Sequence, residues 1–378
     1  MKFKIKGARL AMLLVPALAL AAPALAQVRP PTLSDSQEPG SVIVFPKFIK
    51  GTVALPEGGT APVTELEIGV VCPKRVICPE HEPVKIRFHW VCGTGEFNLA
   101  GSFVCQETDF DVTATVWEKI VLVPIGSFAG VSTKTVPAAP CFNGYLIGWV
   151  INPANDQPIK FDGLVGDAVL RETGAAAASY SAIPIQADPA LATFPATGSA
   201  VATNGNGALL FDGGAGHYQA VTGQVIGDVR YTNLTTPPNF NDSILTLLTL
   251  DVKSNRPNNP VFVDLDFFGG NPSAIGNENQ LSTFTEFICW EEVAIESLDS
   301  NLTTALMGRK GVFVSDQAQK VGIFGIQDAT GPTTLLGLSE VREGSPAAPT
   351  RAYFSNLFNS SRPVPTHFLP EPSPNFLP

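Results

Sequence analysis

Apolar and polar side chains alternate along much of this chain. The pattern is cleanest in residues 84–93, VKIRFHWVCG, where Ile86, Phe88 and Trp90 fall on one side and Lys85, Arg87 and His89 on the other. A period of two is the mark of a strand with one buried face. Residues 261–270, VFVDLDFFGG, repeat it with Val261, Val263, Leu265 and Phe267 inward and Asp264 and Asp266 outward. Runs rich in Val, Ile, Thr, Phe and Leu predict further strands at 41–48, 64–71, 110–123, 143–151 and 159–171, then at 207–212, 243–252, 284–297, 311–315, 321–327 and 334–342. Turn clusters such as NPANDQP and SNRPNNP separate them. Strands with one apolar face each must stack as two sheets to keep that face dry. This predicts antiparallel sandwiches, with a closed barrel as the alternative.

The strands come in two sets. Residues 40–45 (GSVIVF) return as 207–211 (GALLF), 84–93 as 261–270, 117–122 as 290–295, 146–148 as 323–325, and 164–172 (LVGDAVLRE) as 335–343 (LLGLSEVRE). Order is preserved and the shifts of 167, 177, 173, 177 and 171 positions are nearly constant, so the chain reads as a duplication. The predicted fold is all-β: two tandem, duplicated antiparallel β-sandwich domains of immunoglobulin-like type. The Ala-rich stretch 175–207 carries few charges and reads as a linker with one helical turn, which sets the domains at 27–195 and 196–345. Residues 346–378 read as a Pro-rich tail, where Thr350 caps a short helix with Tyr353, Phe354, Leu357 and Phe358 on one side. The tail is expected to pack on its own second domain. The alternatives are a partner-binding peptide and self-assembly, in which it adds a strand to a neighbour's sheet.

Residues 1–26 place Lys2, Lys4, Lys6 and Arg9 ahead of the apolar run 10–20 and end in Ala24-Leu25-Ala26, the pattern of a secretory signal peptide. That run is shorter than the roughly 20 residues a membrane span needs. No later stretch reads as a transmembrane segment, so the expected address is extracellular, cell-surface or periplasmic. The chain has 24 basic and 34 acidic residues; without the signal peptide 20 basic ones remain, for a net charge of −14. Such a surface repels phosphate backbones and argues against a nucleic-acid partner. Six cysteines, Cys72, Cys78, Cys92, Cys105, Cys141 and Cys289, make an even set, which in an exported chain predicts disulfides. Short loops favour Cys72 with Cys78 and Cys92 with Cys105, leaving Cys141 and Cys289 to staple the two copies.

Catalytic motifs are missing. There is no Gly-x-Ser-x-Gly, no His-Glu-x-x-His and no phosphate-cradling Gly-x-x-x-x-Gly-Lys-Ser/Thr, so the expectation is a non-enzymatic protein. No cofactor is expected other than calcium. Asp264 and Asp266 stand at alternate strand positions on one face, where Glu286 can add a third oxygen donor. The competing readings are a solvated face, or ion pairs from these two acids to Arg87 and His89 across the domain boundary. Glu107, Asp109 and Asp111 read as the charged face of an edge strand. Trp117 and Trp290 occupy matched places and, with Trp90 and Trp149, read as core; exposed at the surface they would instead form a sugar-stacking platform.

The segments GSVIVFPKF, GYLIGWV, FDGLVGDAVLRE and TEFICWEE make most of the mature chain resemble a group of uncharacterised exported bacterial β-rich proteins. The resemblance implies a β fold and an exported bacterial origin and carries over no catalytic residue. The expected function is that of a secreted or cell-surface β-sandwich protein in adhesion, envelope structure or ligand binding, with an extracellular protein or a glycan as partner. The alternative is a carbohydrate-active protein, either a binding module or a glycoside hydrolase with two carboxylates about 5–10 Å apart.

Overall fold

The computed structural model describes residues 38–74, 76–93, 96–97, 103–171, 177–187, 203, 207–231, 241–253, 257–269, 281–295, 309–321, 330–345, 348–356, 358–359, 363–364 and 366–368. The expected signal peptide lies outside them, as does nearly all of the strand expected at 321–327 with its matched block 323–325. The described part is all-β, with antiparallel sheets and no α-helix. No helix among the described residues is long and apolar enough to cross a membrane.

The first half supplies β1 (Val42–Ile49), β2 (Thr64–Val70), β3 (Pro83–Cys92), β4 (Glu107–Thr115), β5 (Lys119–Leu122), β6 (Asn143–Ile151), β7 (Leu164–Arg171), β8 (Ala177–Ser181) and β9 (Ile183–Ile185). They form a five-stranded sheet in the order β9-β1-β6-β3-β4 and a four-stranded sheet in the order β8-β7-β2-β5. The second half supplies β10 (Val225–Tyr231), β11 (Asn241–Leu248), β12 (Val261–Gly269), β13 (Leu281–Phe287), β14 (Trp290–Ala294), β15 (Arg309–Ser315), β16 (Gln319–Lys320), β17 (Leu336–Ser345), β18 (Ala348–Asn356) and β19 (Phe358–Asn359). One of its sheets runs β19-β10-β15-β12-β13, with β16 continuing β15 along the same flank of β12. The other runs β18-β17-β11-β14. Read in chain order, the two halves therefore have the same strand connectivity in both sheets.

Each half encloses its own core. Ile43, Phe45, Leu66, Ile68, Phe88 and Trp90 from both sheets of the first half belong to one cluster, and Val225, Leu245, Leu247, Val263, Leu265 and Phe313 do the same in the second. β2 shows the expected one-sided burial, with Leu66, Ile68 and Val70 inside and Glu65, Glu67 and Gly69 partly exposed. The β1–β6–β3 sheet departs from it, because both of its faces are dry. A third cluster joins Val42, Val44, Tyr145, Ile147 and Trp149 on its outer face to Leu209, Phe211, Leu248, Ile288 and Trp290 of the second half. The polar face expected on β3 is therefore buried: Arg87 and His89 are 9% and 0% exposed.

Several expectations are corrected. The stretch 175–207 contributes strands β8 and β9, with Tyr180, Ile183 and Ile185 buried, where a linker with a helical turn was expected. The helix expected from Thr350 is strand β18, paired along β17, since an open sheet edge there gives the backbone a ladder of partners. Residues 363–364 and 366–368 pair with 221–222 and 209–211 of this same chain in two separate two-stranded ladders, so these parts of the tail find their partners within their own chain. That pairing also removes 207–211 as the counterpart of 40–45; the strand standing where β1 stands is β10.

The disulfides are Cys72–Cys78, Cys92–Cys141 and Cys105–Cys289, with Cα separations of 5.8, 5.6 and 6.3 Å. The first matches expectation and the other two exchange partners. Register explains the exchange: Cys92 lies opposite Gly144 across β3 and β6, which brings residue 141 beside it. Cys105 is left facing the second half, and its bridge to Cys289 is the staple between halves.

Candidate functional site

The tight turn from β4 to β5 holds Trp117 in an unusual state. Its φ is +72°, in the left-handed region that a bulky side chain rarely occupies, and 67% of its surface is exposed. Such a conformation persists only where neighbours over-determine it. Here the Trp117 amide donates to the Val70 carbonyl at 2.7 Å and the Val70 amide to the Glu118 carbonyl at 3.0 Å. Glu118 accepts from the Thr115 amide at 2.7 Å and pairs with Lys134 at 2.8 Å. Burial alone would raise the Glu118 carboxyl, but the Lys134 and Thr115 contacts outweigh it and hold its pKa below the usual carboxylate range.

The indole stands over the outer face of the four-stranded sheet. Gly69 lies between Val165 on β7 and Lys119 on β5, and its missing side chain leaves a dip beside Trp117. A Cβ added there would come within 3.0 Å of Val165. The groove holds about 270 Å³. Its rim is charged: Lys119 pairs with Glu67 at 2.8 Å, and Asp167 stands on the β7 side. An exposed ring bordered by carboxylates and an ammonium suits a ligand with apolar C–H faces and a fringe of hydroxyls.

The matched tryptophan has the opposite fate. Trp290 opens β14 but is 3% exposed; its Nε1 donates to the Pro46 carbonyl at 2.7 Å, and its ring lies against Gly93, where a Cβ would sit 2.4 Å away. The expectation of a buried tryptophan thus holds for Trp290, Trp90 and Trp149 and fails for Trp117. Local sequence cannot separate the two, because the first half's four-stranded sheet keeps an open outer face while the second half's is docked.

Arg87 and His89 do not meet Asp264 and Asp266. Arg87 donates to Asp111 at 2.9 and 3.1 Å and lies 3.4 Å from Asp156, which Lys85 contacts at 2.7 Å. For Asp111 and Asp156, burial pushes the carboxyl pKa up, but the Lys85 and Arg87 contacts more than reverse it and leave both below the ordinary value. β4 is an edge strand as expected, yet only part of its acidic face is solvated: Glu107 is buried in contact with His89 Nδ1. His89 also stacks on Trp149, with centroids 4.7 Å apart.

Burial, reinforced by Arg87, pushes the His89 imidazole from 6.5 down to about 3. Between those values the unfolded chain takes up a proton that the native one refuses, so native stability falls as the pH drops through that window. The limiting slope is about 1.4 kcal/mol per pH unit. His89→Gln is expected to flatten the decline in thermal midpoint between pH 6.5 and 4.5; an unchanged pH profile would remove His89 as its source.

Asp264 and Asp266 lie on the outer face of β12 as expected. Asp264 is opposite Phe284, Asp266 accepts from the Ser282 hydroxyl at 2.5 Å, and Glu286 is opposite Phe262. Among the described residues no group of three or more His, Cys, Asp or Glu side chains is placed to hold a metal ion.

No protein-family model matches the chain, and no curated protein matches it significantly.

Proposed function

We propose that the protein is an exported, non-enzymatic pair of tandem immunoglobulin-like β-sandwiches that binds glycans at its surface, in an adhesive or envelope role. The observation that carries the reading is Trp117, held exposed at positive φ over a groove with a polar rim. A conformation that costs on the order of 1 kcal/mol or more is expected where an aromatic face must be presented rather than packed. The equal strand connectivity of the halves supports duplication. The three disulfides fit an extracellular or periplasmic address.

The test is Trp117→Gly. Glycine accepts the left-handed backbone without strain, so the variant keeps its stability or gains up to about 1 kcal/mol, read from its denaturation midpoint. Binding to soluble oligosaccharides, followed by tryptophan fluorescence and titration calorimetry, should weaken about tenfold or more through loss of the ring's apolar contact. A variant that binds normally would remove Trp117 from the binding site, and one that unfolds would make it a structural residue.

A further inference from the structure

The two halves share their connectivity but differ in one strand. In the first half β6 pairs with β3 without interruption from Gly144 to Ile151. Its counterpart in the second half is broken: β15 pairs with Leu265–Gly269 of β12, β16 pairs with Val261 and Phe262, and residues 316–318 bulge between them. Bulges re-aim side chains and gather at binding sites. This one is pinned by the Asp316 amide donating to the Asp264 carbonyl at 2.9 Å and the Ala318 amide to the Gly223 carbonyl at 2.8 Å.

The bulge throws Asp316 and Gln317 onto the outer sheet face, beside Gln319, Asp264, Phe262 and Phe284. Together they line an open groove of about 650 Å³. Gln317 lies over Gly223, where any Cβ would collide with its amide, and that amide donates to the Thr333 carbonyl at 3.3 Å. Phe284 is 68% exposed. The corresponding face of the first half is the one that the second half covers with Leu209, Phe211 and Trp290. There the outer side chains of β6 and β1 include the apolar set Tyr145, Ile147, Trp149, Val42 and Val44, with Lys47 crossing to Glu340 and Glu292. On the second half, carboxylates and amides alternate with the phenyl rings. That mixture suits hydroxyl groups, which carboxylate and carboxamide oxygens accept from while ring faces take the C–H side.

We infer that this bulged face is a second saccharide groove, on a different half from the Trp117 shelf. The proposal rests on the glycan reading above, and the two fail separately. The inter-half core and the Cys105–Cys289 bridge connect the halves that bear them, so the protein would present two saccharide sites at once.

The experiment is titration calorimetry of the oxidised, full-length mature protein with soluble hexasaccharides of β-1,4-linked glucose, xylose and N-acetylglucosamine. Two sites per chain are expected. Phe284→Ala, at an exposed position, should lose one of them or weaken it at least tenfold while leaving the Trp117 fluorescence response intact; Trp117→Gly should do the converse. One site that Phe284→Ala leaves untouched overturns this inference and spares the Trp117 reading. One site lost in Phe284→Ala but kept in Trp117→Gly overturns the Trp117 reading and supports the groove. No binding by any hexasaccharide overturns both, and binding abolished by EDTA overturns direct saccharide contact in favour of a metal bridge.

Discussion

Lys47→Met is expected to lower the stability of the protein by about 3–5 kcal/mol, read as a drop in the urea midpoint. Lys47 sits in a bulge of β1, 1% exposed, and reaches from the first half to Glu340 and Glu292 of the second at 2.6 and 2.5 Å. Glu340 is fully buried. Removing the ammonium strands carboxylate charge in a dry contact, with the Arg342 guanidinium at 2.7 Å as partial compensation. Burial by itself would lower the Lys47 pKa; Glu340 and Glu292 outweigh it and raise the pKa above 10.5. The contribution is therefore complete below pH 10.5 and is lost as the pH climbs through the native value. Adding Glu340→Gln and Glu292→Gln to Lys47→Met should recover part of the loss. A loss below about 1 kcal/mol for the single variant would mean that water reaches the ion pair.

Cys105→Ser with Cys289→Ser is the second large effect. The bridge closes a separation of 184 residues, against 6 for Cys72–Cys78. Chain entropy alone assigns about 5 kcal/mol to a loop of the first length and roughly half that to the second. The paired Cys105 and Cys289 variant should therefore fall further in its unfolding midpoint than the paired Cys72 and Cys78 variant. Equal midpoints would show that the inter-half apolar contact alone holds the halves together in the unfolding transition. Peptide mapping without reductant checks the pairing itself: a fragment joining Cys92 to Cys105 would contradict this arrangement.

Strands whose two faces meet different surroundings were legible from the alternation of residue types. Leu66, Ile68 and Val70 alternate with Glu65, Glu67 and Gly69, and that alternation is what places β2 between core and solvent. The matched blocks at 84–93 and 164–172 likewise mark β3 and β7 and their counterparts β12 and β17, because inward positions in both copies face equivalent cores. The match of 40–45 to 207–211 misleads, since a short apolar run carries no register and 209–211 found a partner in 366–368 instead.

The candidate site was half visible. Tryptophan followed by glutamate recurs at 117 and 290, but nothing local says that one ring is left in water and the other pressed on Gly93. Nor does the alternation in β3 disclose that Arg87 and His89 are buried, because period two reports that the faces differ and not what covers each. Covalent partners are hidden for the same reason: Cys92 and Cys105 are near in sequence, yet the antiparallel register of β3 and β6 brings Cys141 to Cys92. By itself the sequence determined an all-β chain with two matching sets of strands, since side-chain period is a local property of the backbone. The docking of one half on the other, the burial of Lys47, the cysteine pairing and the exposure of Trp117 were decided by tertiary structure, because each depends on which surface of a distant segment arrives opposite.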